Sequence, residues 1–326
     1  MLFAITTLLF VGVSPALATT SPTSATGGNG LRISPVRSDL TINPGASQTL
    51  DVYITNLTTA PANLQGVVDD FTAGANESGT PAILLNGEKA PSHSLKGYVS
   101  PIGTFMLAGG QERDVKITIT IPKGVAGGGY FGAIRFLPAN LDSTKNVNLA
   151  ASVASLVIVT VPGPVTEQMS LASFDVRSMN TKTNELNGPS VLFTHNKNLN
   201  AVVRFQNLGN IQEEPFGKIL LKKGGSVLAT YEINNIEPRG NVLPDSIRRF
   251  SVPLTGLSNF GKYTLEGNFG YSTKGQLLSA TTNFYIVPVP AIVIAIVVLL
   301  VIILGIFLLR TYIRNAVRRG ISRSKK

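Results

Sequence analysis

The sequence predicts an all-β protein, two antiparallel β-sandwiches in series, carried on a single C-terminal transmembrane α-helix. Three observations predict it. Between residues 31 and 288, short runs of alternating apolar and polar residues are separated by Gly, Pro, Asn and Asp, with no useful stretch of helical period between them. Pro162-Gly163-Pro164 then divides this region into two parts of similar size, and the second repeats the pattern of the first. Finally, Ala291 to Leu309 (AIVIAIVVLLVIILGIFLL) runs for 19 residues without a charge or a side-chain hydrogen-bonding group. At about 1.5 Å rise per residue such a helix spans roughly the ~30 Å hydrocarbon core of a bilayer.

The chain is 326 residues long, and residues 1–18 (MLFAITTLLFVGVSPALA) read as an export signal. A short apolar core is broken by Ser14-Pro15 and followed by the small-x-small pattern Ala16-Leu17-Ala18. The basic residues that usually precede such a core are missing, so an uncleaved N-terminal anchor stands as the other reading. Residues 19–30, rich in Ser, Thr, Gly and Pro, read as a flexible linker.

The first sandwich is expected over 31–163. Pro35 argues for an edge strand, because proline cannot donate to a central ladder. Strands are read at Leu50–Ile54, Val67–Phe71, Val115–Ile121, Tyr130–Leu137 and Val153–Val161. The second sandwich is expected over 164–288, with strands at Ser170–Arg177, Ala201–Phe205, Lys218–Lys222, Ser226–Ile233, Arg248–Leu254, Tyr263–Tyr271 and Leu277–Val287. VYITNL at Val52–Leu57 matches VRFQNL at Val203–Leu208, and QERDVKITITIP parallels DSIRRFSVPL. Duplication of one fold accounts for this better than two unrelated folds do.

Beyond the apolar run, residues 310–326 carry seven Lys or Arg and no acid, which assigns them to the cytoplasm and everything before the helix to the outside. This is the topology of a single-pass type I membrane protein. Tyr285 and Tyr312 bracket the span, and Arg310 and Arg314 join them as membrane-interface residues. The net charge of +10 is largely this tail, since the rest of the chain sets 21 basic residues against 18 acids. The near-neutral remainder excludes a nucleic-acid partner and leaves the lipid bilayer as the charged surface.

Groupings that carry chemistry are scarce. The chain has no Cys, which removes disulfides, thiol catalysis and thiolate metal sites. Its two histidines, His93 and His195, sit in polar loops without metal-ligand spacing and read as solvated. Asp69 and Asp70 are adjacent on a strand, so they point to opposite faces and cannot act as a pair. No cofactor, metal or catalytic residue is expected, and the chain reads as a non-enzyme. Gly127-Gly128-Gly129-Tyr130 is the densest glycine cluster, and two readings stand for it. The glycines permit a close approach to an opposing sheet, or Gly128, Gly129 and Tyr130 form a ligand loop.

The runs ISPVRSDLTINPGASQTLDVYITNLT (Ile33–Thr58), VDDFTAGANESGTP and FMLAGGQERDVKITITIPKGVAGGGYFGAI (Phe105–Ile134) resemble the N-terminal domain of bacterial WxL-interacting cell-surface proteins. That resemblance implies immunoglobulin-like sandwiches, a first domain in contact with peptidoglycan, and a second in contact with a surface protein or host ligand. The second half departs from the pattern and looks like a generic bacterial adhesion module, so no binding residue is carried over. The expected function is that of an extracellular binding or adhesion protein of the cell wall. A non-catalytic accessory or assembly subunit of an envelope membrane complex is the alternative.

Overall fold

Alternation of side chains about a pleated strand puts one set of residues inward, and sheets so patterned must pack face to face to bury them. The structure, a computed structural model, describes residues 25–26, 30–139 and 152–323. The expected export signal and most of the expected linker lie outside the described residues, as do Ser324–Lys326. In chain order the strands are β1 (Ala25–Thr26), β2 (Leu31–Ser34), β3 (Arg37–Thr41), β4 (Ser47–Asn56), β5 (Ala62–Ala73), β6 (Pro81–Ile83), β7 (Gly103–Leu107), β8 (Glu112–Thr120), β9 (Gly128–Pro138) and β10 (Val153–Val161). They continue as β11 (Met169–Asn180), β12 (Glu185–Pro189), β13 (Leu192–Phe193), β14 (Leu199–Asn207), β15 (Phe216–Lys223), β16 (Ser226–Ile233), β17 (Ile247–Pro253), β18 (Gly261–Tyr271) and β19 (Gln276–Ile286), before helix α1 (Val289–Arg323).

In the first half, a sheet ordered β1-β2-β4-β8 packs on one ordered β3-β10-β9-β5-β6, with β7 also paired to β5. Their inward residues, among them Ile33, Val52, Ile54, Ile117, Ile119, Phe136 and Val157, form one buried cluster. In the second half, β12-β11-β14-β17 packs on β13-β19-β18-β15-β16 around Val203, Phe205, Ile219, Leu265, Phe269 and Phe284. Each strand read from the alternation is present. The short strands β6, β7, β12 and β13 are additional, as is β1, which pairs antiparallel with β2 inside the stretch expected to be a linker. Pro35 lies where the chain crosses between sheets, and the edge strand is β3, on its C-terminal side.

The two halves share a topology. β2, β4 and β8 correspond to β11, β14 and β17, while β3, β10, β9 and β5 correspond to β13, β19, β18 and β15. Even the parallel pairing recurs, with β3 beside β10 and β13 beside β19. The matched Asn-Leu pairs close equivalent loops. Asn56 Nδ2 donates to the Ala60 carbonyl at 2.8 Å and to Leu107 at 3.3 Å, while its Oδ1 accepts from the Thr58 amide at 3.0 Å. Asn207 Nδ2 donates to Ile211 at 2.7 Å and to Val242 at 2.9 Å, and its Oδ1 accepts from the Gly209 amide at 2.8 Å. Both asparagines are fully buried, so their amides take the place of water at the main-chain groups of these loops.

Only Val287 and Pro288 separate β19 from α1, and the Val287 amide donates to the Phe193 carbonyl at 2.8 Å, which ties the neck to β13. Val289–Arg314 is long and apolar enough to cross a membrane, and none of it is buried against the sheets. The helix continues to Arg323 rather than ending at Leu309, so the basic residues read as a tail lie along further helical turns. At 35 residues it is about 52 Å long, beyond a ~30 Å hydrocarbon core.

Replacing Asn207 by Ala leaves the Ile211 carbonyl and the Gly209 amide without their partner, while the Val242 carbonyl keeps the Glu213 amide at 3.0 Å. We expect a loss of about 1–3 kcal/mol, the cost of an unsatisfied buried polar group, read as a lower urea midpoint at unchanged slope.

Candidate functional site

The two sheet pairs meet along a seam that both halves of the chain build. At its centre Phe71, Phe131, Ala133 and Ile158 of the first pair pack with Leu243 of the second. On one flank Arg37 of β3 is held by Asp39 at 2.8 Å and reaches Glu214 at 3.2 Å and the Arg239 carbonyl at 3.1 Å. On the other flank Arg204 of β14 grips Glu77 through two parallel bonds, Nε to Oε2 at 2.7 Å and Nη2 to Oε1 at 2.5 Å. A two-point guanidinium–carboxylate contact fixes direction as well as distance. Glu77 sits at φ 59°, a left-handed conformation that costs an ordinary residue free energy. The Arg204 pair and the Arg249 amide, which donates to the Glu77 carbonyl at 2.8 Å, hold it there.

Beside the seam lies a small, partly open cavity of about 80 Å³, lined by Phe71, Ile158, Leu243 and Arg248. Burial pushes the Arg248 pKa down, and the charge of Arg37 adds to this. Arg248 Nη1 donates to the Asn241 carbonyl at 2.7 Å, while its buried Nε has no partner among the described residues. Gly79 makes room for the guanidinium, since a Cβ there would lie 2.2 Å from Arg248 Cζ.

Open to solvent between the halves is a polar cleft of about 880 Å³. The turn carrying Asn76, Glu77 and Ser78 forms one wall, and Arg177, Arg204 and Arg249 line the other. Arg177 is paired to Asp175 at 2.7 Å and Arg204 to Glu77, but Arg249 makes no side-chain hydrogen bond among the described residues. The cleft thus sets Arg249, without a side-chain partner among the described residues, among amide and hydroxyl groups and the carboxylates of Glu77 and Glu185.

The glycine cluster falls at the seam. The Gly129 amide donates to the Asn210 carbonyl at 2.9 Å, and Asn210 Nδ2 donates to the Gly127 carbonyl at 2.9 Å. A Cβ at Gly128 would lie 2.7 Å from the Asn210 carbonyl oxygen, and one at Gly129 would lie 2.4 Å from Gln212 Oε1. Gly128 and Gly129 are buried under the second sheet pair, while Tyr130 turns away, its hydroxyl donating to the Ala126 carbonyl at 2.9 Å. His93 is half-buried rather than solvated: Nδ1 lies 2.7 Å from the Gly129 carbonyl, and the ring meets Tyr130 and Phe131. His195 is exposed in its loop, as expected.

Asp69 and Asp70 serve different partners, as their strand positions require. Asp69 meets Arg135 at 2.8 Å, whereas Asp70 accepts the amides of Ala90, Leu95 and Lys96 at 3.0–3.1 Å. Tyr285, Arg310, Tyr312 and Arg314 are all exposed, the first at the end of β19 and the others on α1. Among the described residues no group of three His, Asp or Glu is placed to hold a metal ion.

The seam ion pairs escape a sequence reading because their members are as many as 177 residues apart, as for Arg37 and Glu214. One signal was available. Arg248-Arg249 are adjacent on an alternating strand, so they must face opposite ways, one toward the cavity and one toward the cleft.

Two carboxylates near the seam titrate in opposite senses. Glu77 lies below its ordinary value, first through the hydrogen bonds from Arg204 and then through that residue's charge, against the effect of burial. Glu213 is pushed up to about 7, chiefly by burial and next by the charge of Glu167. It is only 4% exposed, and its Oε1 has no partner among the described residues.

No family model matches this chain, and no curated protein sequence matches it. Among solved structures, a class 5 fimbriae chaperone aligns at 13% identity over 79% of this chain and 100% of its own, with a TM-score of 0.38. The E. coli chaperone DraB aligns at 15% identity over 78% of this chain and 96% of its own, with a TM-score of 0.32. The chain also aligns with a structure of Salmonella enterica SafA pilin in complex with the SafB chaperone, at 13% identity, 81% and 98% coverage and a TM-score of 0.33. At scores of this size what those proteins bind stays with them.

The carboxylates predict a pH profile. A raised pKa at Glu213 contributes stability that is complete below the ordinary 4.5 and is lost as pH rises through about 7. Thermal melts of Glu213→Gln should therefore lack the decline that the parent chain shows over that range. Glu77→Gln should lower stability at neutral pH and converge with the parent as pH falls from the ordinary 4.5 down through the lowered value, because a depressed pKa contributes fully above 4.5 and nothing once the carboxyl is protonated in both states.

Proposed function

We propose that the chain is a single-pass membrane-anchored binding protein without catalytic activity. Two immunoglobulin-like domains, 31–163 and 164–288, stand outside the membrane on α1, with the basic end of the helix in the cytoplasm and residues 1–18 acting as the export signal. Tyrosine hydroxyls bonded back to the main chain just upstream support the immunoglobulin-like reading. They occur at Tyr130 with Ala126 and at Tyr263 with Ser258.

The observation that carries the proposal is the cleft. Both halves build it, and the Glu77–Arg204 pair holds its walls in register, so a partner meets a formed site and little ordering entropy is lost on binding. Its chemistry suits an extended polymer bearing hydroxyls and carboxylates. Arg249 supplies the unpaired cation, Arg177 can share its charge, and Asn76, Ser78 and Asn184 supply neutral hydrogen bonds. Peptidoglycan has that chemistry, and the resemblance of Ile33–Ile134 to WxL-interacting proteins points to the same ligand. An acidic segment of a surface protein is the other partner such a lining accepts.

The full chain in detergent micelles should co-sediment with purified peptidoglycan, and Arg249→Glu should weaken this by about tenfold or more, the loss of one charge-assisted hydrogen bond. Sedimentation no better than that of an unrelated sandwich protein removes the wall ligand. A stoichiometric membrane protein recovered by crosslinking in intact cells would instead support the accessory-subunit reading.

A further inference from the structure

We infer that the helix-side end of the second sandwich is itself a membrane-docking surface, seated on the anionic headgroups of the leaflet that α1 enters. The inference rests on the reading of α1 as membrane-spanning. The strand directions separate two ends of this sandwich. At one end the β14–β15 connection and the start of β17 carry Asn210, Gln212, Glu214 and Arg248 into the seam. At the other, β19 ends at Ile286 beside the start of β18 and beside β13, two residues before α1 begins.

That second end is apolar in an unusual way for a surface facing water. Val191 is 65% exposed, Leu192 52% and Phe260 63%, and the exposed ring of Tyr285 adjoins them on β19. An apolar group of this kind, contiguous with a polar margin, marks a contact surface. The presenting loops are built rather than loose. Asn196 Nδ2 donates to the Leu257 carbonyl at 2.7 Å, the Ser258 amide donates to Tyr263 Oη at 2.7 Å, and Lys223 Nζ reaches Ser258 Oγ at 3.3 Å and the Phe260 carbonyl at 3.2 Å.

Charge identifies the occupant. Residues 190–199, 222–228 and 254–265 contain no Asp or Glu, yet they carry Lys197, Lys222, Lys223 and Lys262; the β11–β12 hairpin at the same end adds Lys182 and Glu185, which offset one another. Lys222 is paired to Glu266 at 2.5 Å, and Lys262 lies over the Tyr285 ring at 6.0 Å. Aromatic and aliphatic side chains rimmed by lysines match the headgroup layer, where rings insert and ammonium groups meet lipid phosphates. The neck of Val287 and Pro288 is too short to lift this end away from that layer, because two residues span at most about 7 Å. A protein partner would have to share this gap with the bilayer.

The chain contains no Trp, so a single introduced indole reports its own surroundings. The full chain carrying Phe260→Trp would be reconstituted into vesicles of phosphatidylglycerol and phosphatidylcholine with brominated acyl chains. Phe307→Trp in α1 and Met106→Trp on the first sandwich, 69% exposed, serve as references. We expect strong quenching at 307, clear quenching at 260 and none at 106. In the Phe260→Trp background, Lys197→Glu with Lys262→Glu should reduce the quenching at 260 at least twofold, with that at 307 unchanged. Quenching at 307 with position 260 as bright as position 106 would overturn the docking and leave the anchor standing. No quenching at 307 would remove the anchor and the docking with it.

Discussion

Everything on the outward side of this chain depends on the seam between the two sheet pairs. Glycine is what lets it close: at residues 127–129 main chain meets main chain, and a single methyl group at Gly128 would strike the Asn210 carbonyl. Once the backbones are that near, Phe71, Phe131, Ile158 and Leu243 shut water out of the centre. Arg37 with Glu214 and Arg204 with Glu77 then set the angle between the halves. Desolvating both members of such pairs offsets much of what their attraction returns, so their contribution here is direction more than stability. The cleft has its shape because that angle is held.

The recurrence of one topology in both halves has a consequence for the ends. Each sandwich closes its Asn-Leu loop with the same buried amide network, at Asn56 and at Asn207, and each runs its first inward strand parallel to its last. Yet the two copies are used differently. The second gives its loop after Asn207 to the seam and its opposite end to the neck of α1, so it is held at both ends. Among the described residues the first is held at the seam. A force or a ligand acting on the first half is therefore passed toward α1 through Glu77, Arg204 and the sheets beneath them.

Acidic and basic groups are distributed to match. At the seam Glu213 and Glu167 lie near one another, and burial first, then the Glu167 charge, pushes the Glu213 pKa up to about 7. At the helix-side end residues 190–199, 222–228 and 254–265 hold lysines without an acid, and the β11–β12 hairpin sets Lys182 beside Glu185. The seam pairs its acids with Arg37 and Arg204, whereas the lysines of the helix-side end are mostly without such partners among the described residues.

The alternation of residues was enough to read every long strand, the matched landmarks VYITNL and VRFQNL were enough to read one topology twice, and an uncharged run of 19 residues was enough to read the helix. These are local properties, set by the two-residue period of a pleat and by the apolar length a helix presents. Short strands such as β6 and β13 were not legible, because two or three residues carry no period and form only against a neighbour. The glycine run was legible as a close approach, but what approaches it, Asn210 and Gln212, lies some 80 residues along the chain. The ion pairs of the seam and the lysine-rimmed end were beyond reach for the same reason. Sequence by itself determined which residues face inward and where a bilayer can be crossed, because each follows from spacing along the chain. Only the tertiary structure decided which charges meet and which end of the second sheet pair adjoins α1, because those depend on contacts between segments that the chain holds far apart.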